Sequence, residues 1–191
     1  MKKILFLLVL SISFQSNSQD NSTITTEKNI ASCYNNWFKK SEVDLVEFQN
    51  QFESYFIVNK LIDSNLTTDK KYEAILKILE NPPKKLPKFQ NKNSLVELIK
   101  KLNISNSDII KRGQLKCLMD FYKTNKSKLE NKSGIYAIGI TLEHVERAPG
   151  VSQELIVSSI RMNLNKNELK KDIVQISLVI LFFPELILLT D

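Results

Sequence analysis

Glycine and proline are scarce in this chain, with four glycines and five prolines among 191 residues, against average shares of about 7% and 5%. Tight β-hairpins depend on glycine where φ is positive, so the sequence disfavours a fold of many short strands. The glycines are also isolated, whereas a phosphate-binding loop needs several close together. They are Gly113, Gly134, Gly139 and Gly150. Nucleotide-binding loops of the usual glycine-rich kinds are therefore excluded.

Histidine and cysteine are nearly absent as well. The chain has one histidine, His144, and two cysteines, Cys33 and Cys117. A structural zinc site takes four Cys or His ligands, which is more than the chain offers, and no run of alternating acids resembles a calcium-binding loop. The nearest acid, Glu143, is adjacent to His144, and adjacent helical side chains point about 100° apart. We therefore expect neither a metal nor a cofactor, and we assign no catalytic residue.

Arginine contributes little to the positive charge. Lysine and arginine total 27 against 21 acids, a formal net charge of +6, but only Arg112, Arg147 and Arg161 are arginines. Arginine is the side chain that reads phosphates and base edges with its planar fork. The sequence therefore predicts no nucleic-acid partner.

The chain opens with a basic and then apolar leader. Lys2 and Lys3 precede an apolar run at residues 4–14, and small residues follow at Ser16 and Ser18. This is the layout of a secretory signal peptide. At about 1.5 Å per residue the run is too short to span a hydrocarbon core of about 30 Å. We predict a signal peptide at residues 1–18 and a protein that works in the periplasm or outside the cell.

Apolar residues recur at helical spacing along most of the remaining chain. The predicted helices cover residues 33–38, 41–64, 68–80, 94–102, 107–124, 152–163 and 167–189. Residues 135–142 alternate as a strand would, but a lone strand would have no partner. We interpret that segment as helix, with a minor strand as the alternative. The sequence predicts an all-α fold, a single compact domain of about six to seven helices.

Domain boundaries follow from composition. Residues 19–30 are rich in Ser, Thr and Asn and are predicted to be a flexible N-terminal segment. The helical domain would then cover residues 31–191. Within it, residues 82–93 hold three prolines and several lysines. Because proline ends helices, this stretch is predicted to be an exposed connector.

Cys33 and Cys117 are the candidates for covalent chemistry. In an exported protein an even cysteine count favours a disulfide, which is our prediction. One alternative is a pair of buried free thiols, because Cys117 shares an apolar face with Phe121. The other is a lipid anchor on Cys33, since residues 30–33 loosely resemble a lipobox, although they lie far beyond the apolar run.

The C-terminal segment at residues 173–189 is apolar almost throughout. It is at the lower length limit for a membrane span, and Glu185 would be costly inside a bilayer. We predict a core helix, with a membrane or partner-binding anchor as the alternative. A core helix should bury Leu181, Phe182 and Leu186.

Together these features favour a non-catalytic exported protein that acts by binding another protein, as an inhibitor, an immunity-type protein or an envelope accessory factor. One alternative is a small envelope hydrolase that uses carboxylates or His144. The other is a membrane-associated envelope component tethered by its C-terminal apolar run.

Overall fold

A computed structural model describes residues 27–104, 115–148 and 150–190, with only the backbone at 188 and 189. The described residues are 74% helical, contain no strand and form a single compact domain. The eight helices are α1 (27–40), α2 (Leu45–Val58), α3 (Thr68–Glu80), α4 (Lys92–Lys101), α5 (Lys116–Asn125), α6 (Gly134–Arg147), α7 (Gln153–Asn163) and α8 (Asp172–Leu189). The all-α prediction is confirmed, with slightly more helices than expected.

Two predictions concern the N-terminal part of the chain. The predicted signal peptide, residues 1–18, lies outside the described residues, as do residues 19–26. Residues 27–30, at the end of the segment predicted to be flexible, are helical. Ile30 is buried there with 1% of its surface exposed, so packing orders this part of the segment.

Helix α2 is shorter than the predicted segment 41–64. Glu42 and Lys60 have φ values of 55° and 57°, in the left-handed region that interrupts a right-handed helix. The helix begins after Asp44, whose carboxylate accepts a hydrogen bond from the Glu47 N–H at 2.9 Å. Asp44 therefore caps the helix. Ser41 is also a good capping residue by type, but it does not cap α2.

The predicted start of α4 is also wrong. Asn91 precedes the helix, and Ser94 lies inside its first turn. Ser94 and Glu97 are spaced as in a capping box, but Ser94 lies within the helix and cannot be its N-cap. Glu97 instead pairs with Lys100 at 2.7 Å, one turn further along the helix.

Residues 135–142 lie within α6, so the strand alternative is wrong. A Cβ atom added at Gly139 would collide with the Tyr122 ring on α5, and one at Gly134 would collide with Val174 on α8. The two glycines therefore let α6 approach both neighbours closely. Ser133 caps the helix by accepting a hydrogen bond from the Tyr136 N–H at 3.3 Å.

Helix α8 supplies the centre of the core and packs against α2 and α4. The predicted burial is confirmed, since Leu181, Phe182 and Leu186 are at most 1% exposed. Phe183 contacts two aromatic rings of α2, with centroid distances of 4.9 Å to Phe48 and 5.5 Å to Phe52. Among the described helices, none combines the length and apolar character needed to cross a bilayer.

Cys33 on α1 and Cys117 on α5 form a disulfide, with 5.9 Å between their Cα atoms. Cys33 is exposed and Cys117 is only half-buried. The bridge therefore fastens the first described helix to α5 at the surface. The alternative of two buried free thiols is wrong.

The connector between α3 and α4 comprises residues 81–91. Its first half is exposed, but Leu86, Pro87 and Phe89 are partly buried. The Tyr55 hydroxyl on α2 donates a hydrogen bond to the Pro87 carbonyl at 2.8 Å. The Tyr55 ring also stacks on Phe89, with 4.1 Å between the ring centroids. The second half of the connector is therefore held against α2.

Candidate functional site

Two pockets lie along consecutive stretches of the connector. The Gln51 pocket has a volume of about 140 Å³ and lies between α2, connector residues 88–91 and the start of α4. The Gln153 pocket has a volume of about 320 Å³ and lies between connector residues 82–86 and parts of α3, α7 and α8. We call the two pockets together the connector surface. It joins segments of five helices that are far apart in the sequence.

The Gln51 pocket has an apolar floor and a more polar rim. Tyr55 and Leu95 line it and are buried, with 4% and 1% of their surfaces exposed. Val58 lies at its edge and is 64% exposed, which is unusual for a valine. Burial raises the pKa of Tyr55 to about 12. Its phenol is therefore protonated at neutral pH and acts as the donor to Pro87.

The orientation of the Gln51 amide is fixed by its neighbour Glu47. Its Nε2 atom donates to the Glu47 Oε1 atom at 2.8 Å. Because an ionised carboxylate can only accept, the nitrogen must face Glu47 and the amide oxygen must face away. That oxygen is buried and has no hydrogen-bond donor in the described part of the chain. Because it is shielded from solvent, a ligand in the pocket would not reach it in this packing.

The Gln153 pocket combines apolar, cationic and polar walls. Its floor includes Leu79 and Leu186, with 3% and 0% of their surfaces exposed. Lys84 and Lys85 line it from the connector. The Gln153 side-chain oxygen is likewise buried and has no donor among the described residues. Both pockets thus combine an apolar floor with lysine at the edge.

Three connector lysines give this surface a positive charge. Lys84 and Lys85 line the Gln153 pocket, and Lys88 lines the Gln51 pocket. All three are exposed, and none makes an ion pair with another residue in the described part of the chain. In contrast, Lys126 already forms an ion pair with Glu143 at 2.6 Å. The connector surface therefore carries cations that an acidic group could pair with.

The structure does not gather catalytic groups around His144. Its side chain is exposed on α6, and no described side chain hydrogen-bonds to it. The adjacent Glu143 accepts hydrogen bonds from Tyr122, Lys126 and Arg147. The Lys126 hydrogen bond is the main cause that lowers the pKa of Glu143. No group of three or more potential metal ligands occurs among the described residues.

A second polar cluster lies between α2, α3 and α8. Tyr72 donates to Glu53 at 2.9 Å, and the Gln49 amide donates to the Tyr72 oxygen at 3.0 Å and to Gln175 at 3.4 Å. Burial, assisted by the Glu53 charge, strongly raises the pKa of Tyr72. Because these groups satisfy one another and line neither pocket, the cluster holds the helices together and offers no ligand site.

Sequence reasoning located the connector but not its pockets. The signal in the sequence was limited to prolines and lysines, which indicate exposure alone. Gln51, Gln153 and Leu186 reach the connector only because of the tertiary packing. No protein-family model, curated protein or solved structure matches this chain.

Proposed function

We propose that this chain is an exported, non-catalytic helical protein that binds another protein through the connector surface. The observation that carries this proposal is the pair of adjacent pockets with apolar floors, edged by three connector lysines that make no ion pair in the described part of the chain. A partner segment on this surface would cover the apolar floors and pair its acidic groups with the lysines.

The surface has the composition of a protein interface. Such interfaces have an apolar centre and a polar rim. Tyr55, Leu95 and Leu186 provide buried apolar floors, while Val58 adds an exposed apolar contact. The lysines at the edge favour a partner with acidic groups, because complementary charge accelerates association.

Export is supported by two independent features. Residues 1–18 have the layout of a signal peptide. The Cys33–Cys117 disulfide fits an oxidising compartment such as the periplasm or the extracellular space. Mass spectrometry of protein recovered from the cell envelope should find an N-terminus near Gln19. Recovery of only the full-length chain from the cytoplasm would contradict export.

Two valines of α2 provide a matched test of the binding surface. Val58 lines the Gln51 pocket and is 64% exposed, and Val46 is 66% exposed on the same helix but lines neither pocket. A photo-crosslinking amino acid is placed at position 58 or at position 46 in the cells that produce the protein, and the two variants should differ in their crosslinking. We expect a discrete crosslinked protein from position 58 and none from position 46.

The partner protein identified by crosslinking should then be purified, and its affinity for this chain should be measured by calorimetry. We expect Val58→Asp to weaken binding by about tenfold or more, because a charge would replace an apolar contact that the partner covers at the edge of the Gln51 pocket. Val46→Asp should change the affinity by less than about twofold. Equal crosslinking at both positions, or equal effects of both substitutions, would overturn the assignment of the surface.

A further inference from the structure

We propose that the Cys33–Cys117 bridge is a site of thiol–disulfide exchange in the folded protein, with a dithiol as the co-reactant. The incoming thiolate attacks the Sγ atom of Cys33, and Cys117 leaves as a thiolate. This inference is independent of the connector surface. It rests on the exposure of Cys33, on the position of Cys117 at the start of a helix, and on the separate anchoring of the two bridged helices.

The position of Cys33 lets a thiolate reach the bridge. Cys33 lies in the middle of α1 and is exposed, and Asn29 and Asn36, its neighbours one turn away on the same face, are exposed as well. Glu27 is the only acid of this helix, and it pairs with Lys171 at 3.0 Å. An anionic thiolate therefore meets no unpaired carboxylate of α1. Exposed disulfides are the ones that exchange readily, whereas buried ones resist reduction.

The position of Cys117 suits the leaving group. It is the second residue of α5, where the free backbone N–H groups and the positive end of the helix dipole stabilise an anion. Asp120, one turn further along, already forms an ion pair with Lys116. Cys33 has no such stabilisation in the middle of α1. Because a better-stabilised thiolate leaves faster, the attack is directed to Cys33 and the displaced group is Cys117.

The exchange transfers two electrons. The first thiol of the dithiol forms a bond to the Cys33 Sγ atom while the bond between Cys33 and Cys117 breaks. The second thiol of the dithiol then attacks the sulfur of the first and releases Cys33. The dithiol is thereby oxidised to a disulfide, and its two protons pass to the Cys33 and Cys117 thiolates.

Both helices keep their own anchors when the bridge opens. Ile30, Tyr34 and Phe38 hold α1 in the core with at most 1% of their surfaces exposed. Leu118 and Tyr122 hold α5 with 0% exposed. The reduced chain should therefore stay folded at room temperature, although with a lower melting temperature. The two cysteines then remain opposite each other, so the bridge can close again.

Glutathione, used as a single-thiol probe, identifies the sulfur that is attacked. The oxidised mature protein is incubated with glutathione without denaturant, and a pulse of iodoacetamide captures the thiol that is released. Peptide mass mapping should find glutathione on Cys33 and the alkyl group on Cys117, while the helical circular dichroism is unchanged. Glutathione mainly on Cys117, or loss of the helical signal on opening, would overturn the proposal.

The dependence of the rate on urea separates exchange in the folded protein from exchange after unfolding. Attack on the folded chain should change by less than about twofold in urea concentrations below the unfolding transition. Attack that requires unfolding would instead accelerate steeply, because the unfolded population grows with urea. A steep acceleration would therefore contradict the proposal.

Two adjacent asparagines of α1 provide a matched pair of variants. Asn36 lies one turn from Cys33 on the same face, whereas Asn35 points to another side of the helix, and both are exposed. Asn36→Glu should slow the attack by the anionic glutathione thiolate about threefold through charge repulsion. Asn35→Glu should slow it by less than about 1.5-fold. Equal slowing in both variants would show that the thiolate does not approach through the exposed face of Cys33.

Discussion

The Tyr72 hydroxyl on α3 donates a hydrogen bond to the Glu53 carboxylate on α2, with 2.9 Å between the oxygen atoms. Another fully buried tyrosine of this core, Tyr34 on α1, has a hydroxyl without a hydrogen-bond partner of good geometry in the described part of the chain. The nearby Ser177 hydroxyl donates its own proton to the Ile173 carbonyl at 2.7 Å. Two tyrosines of equal burial thus have opposite hydrogen-bonding environments.

This contrast predicts opposite outcomes for the same substitution. Tyr72→Phe removes the hydroxyl that bonds both Glu53 and Gln49 and should lower the free energy of unfolding by about 1–3 kcal/mol. Tyr34→Phe removes a buried hydroxyl without a partner of good geometry, so it should leave the free energy of unfolding unchanged or raise it by up to about 1–3 kcal/mol. Urea unfolding followed by circular dichroism measures both values. Equal losses would show that the Tyr34 hydroxyl is as well satisfied as that of Tyr72.

Alkaline pH should destabilise the protein. Burial raises the pKa of Tyr34 and Tyr72 well above the ordinary value of about 10. In the unfolded chain these phenols ionise near pH 10, while in the folded chain they remain neutral. The stabilisation is therefore fully present below about pH 10 and is lost as the pH rises further. Tyrosinate absorbance should increase together with the loss of helical circular dichroism, whereas ionisation of the buried tyrosines in a fully folded chain would contradict this prediction.

Removal of the disulfide should reduce stability strongly. Cys33 and Cys117 are separated by 84 positions. In the chain-entropy model, closing a loop of this length contributes about 4 to 5 kcal/mol. The double variant Cys33→Ser, Cys117→Ser should therefore melt at a lower temperature than the oxidised wild type. The reduced wild type is the control and should resemble the variant, and a melting temperature unaffected by reduction would contradict the prediction.

Two leucines allow a substitution in the core to be compared with one at the surface. Leu181 on α8 is 0% exposed, and Leu155 on α7 is 62% exposed. Leu181→Ala should lower the free energy of unfolding by about 2–5 kcal/mol, because it removes buried atoms and leaves a cavity. Leu155→Ala should change it by less than about 0.5 kcal/mol. Chemical denaturation of both variants tests the central position of α8, which would be wrong if the two losses were similar.

His144 should be dispensable. Its side chain is exposed, and the adjacent Glu143 is committed to Tyr122, Lys126 and Arg147. His144→Ala should leave both the melting temperature and partner binding nearly unchanged. Loss of an activity in a folded variant would instead favour the hydrolase alternative.

The helical fold could be predicted because apolar spacing and the lack of glycine both indicate it. The buried run of α8 was also recognisable, since an apolar segment containing Glu185 suits a core better than a bilayer. Helix starts were less predictable. Ser41 and Ser94 are good capping residues by type, yet Asp44 and Asn91 occupy the positions before α2 and α4. A backbone turn in the left-handed region at Glu42 separates Ser41 from the start of α2, and such a turn has no clear pattern in the sequence.

The candidate site could not be predicted for a different reason. Each pocket depends on helices that are distant along the chain. Gln51 and Gln153 are ordinary polar residues in the sequence. Only the packed structure shows that they line pockets beside the connector. In contrast, the Cys33–Cys117 pair was predictable, because two cysteines allow a single intramolecular pairing.

The position of α8 constrains when the chain can finish folding. This helix supplies the centre of the core, and it follows every other described helix along the chain. It therefore leaves the ribosome after them, and until then α2 and α4 lack the surface against which they pack. A polypeptide that cannot complete its core during synthesis stays unfolded for that time. For the export proposed above, this delay would keep the chain unfolded enough to pass a translocation channel, and the core and the disulfide would form afterwards.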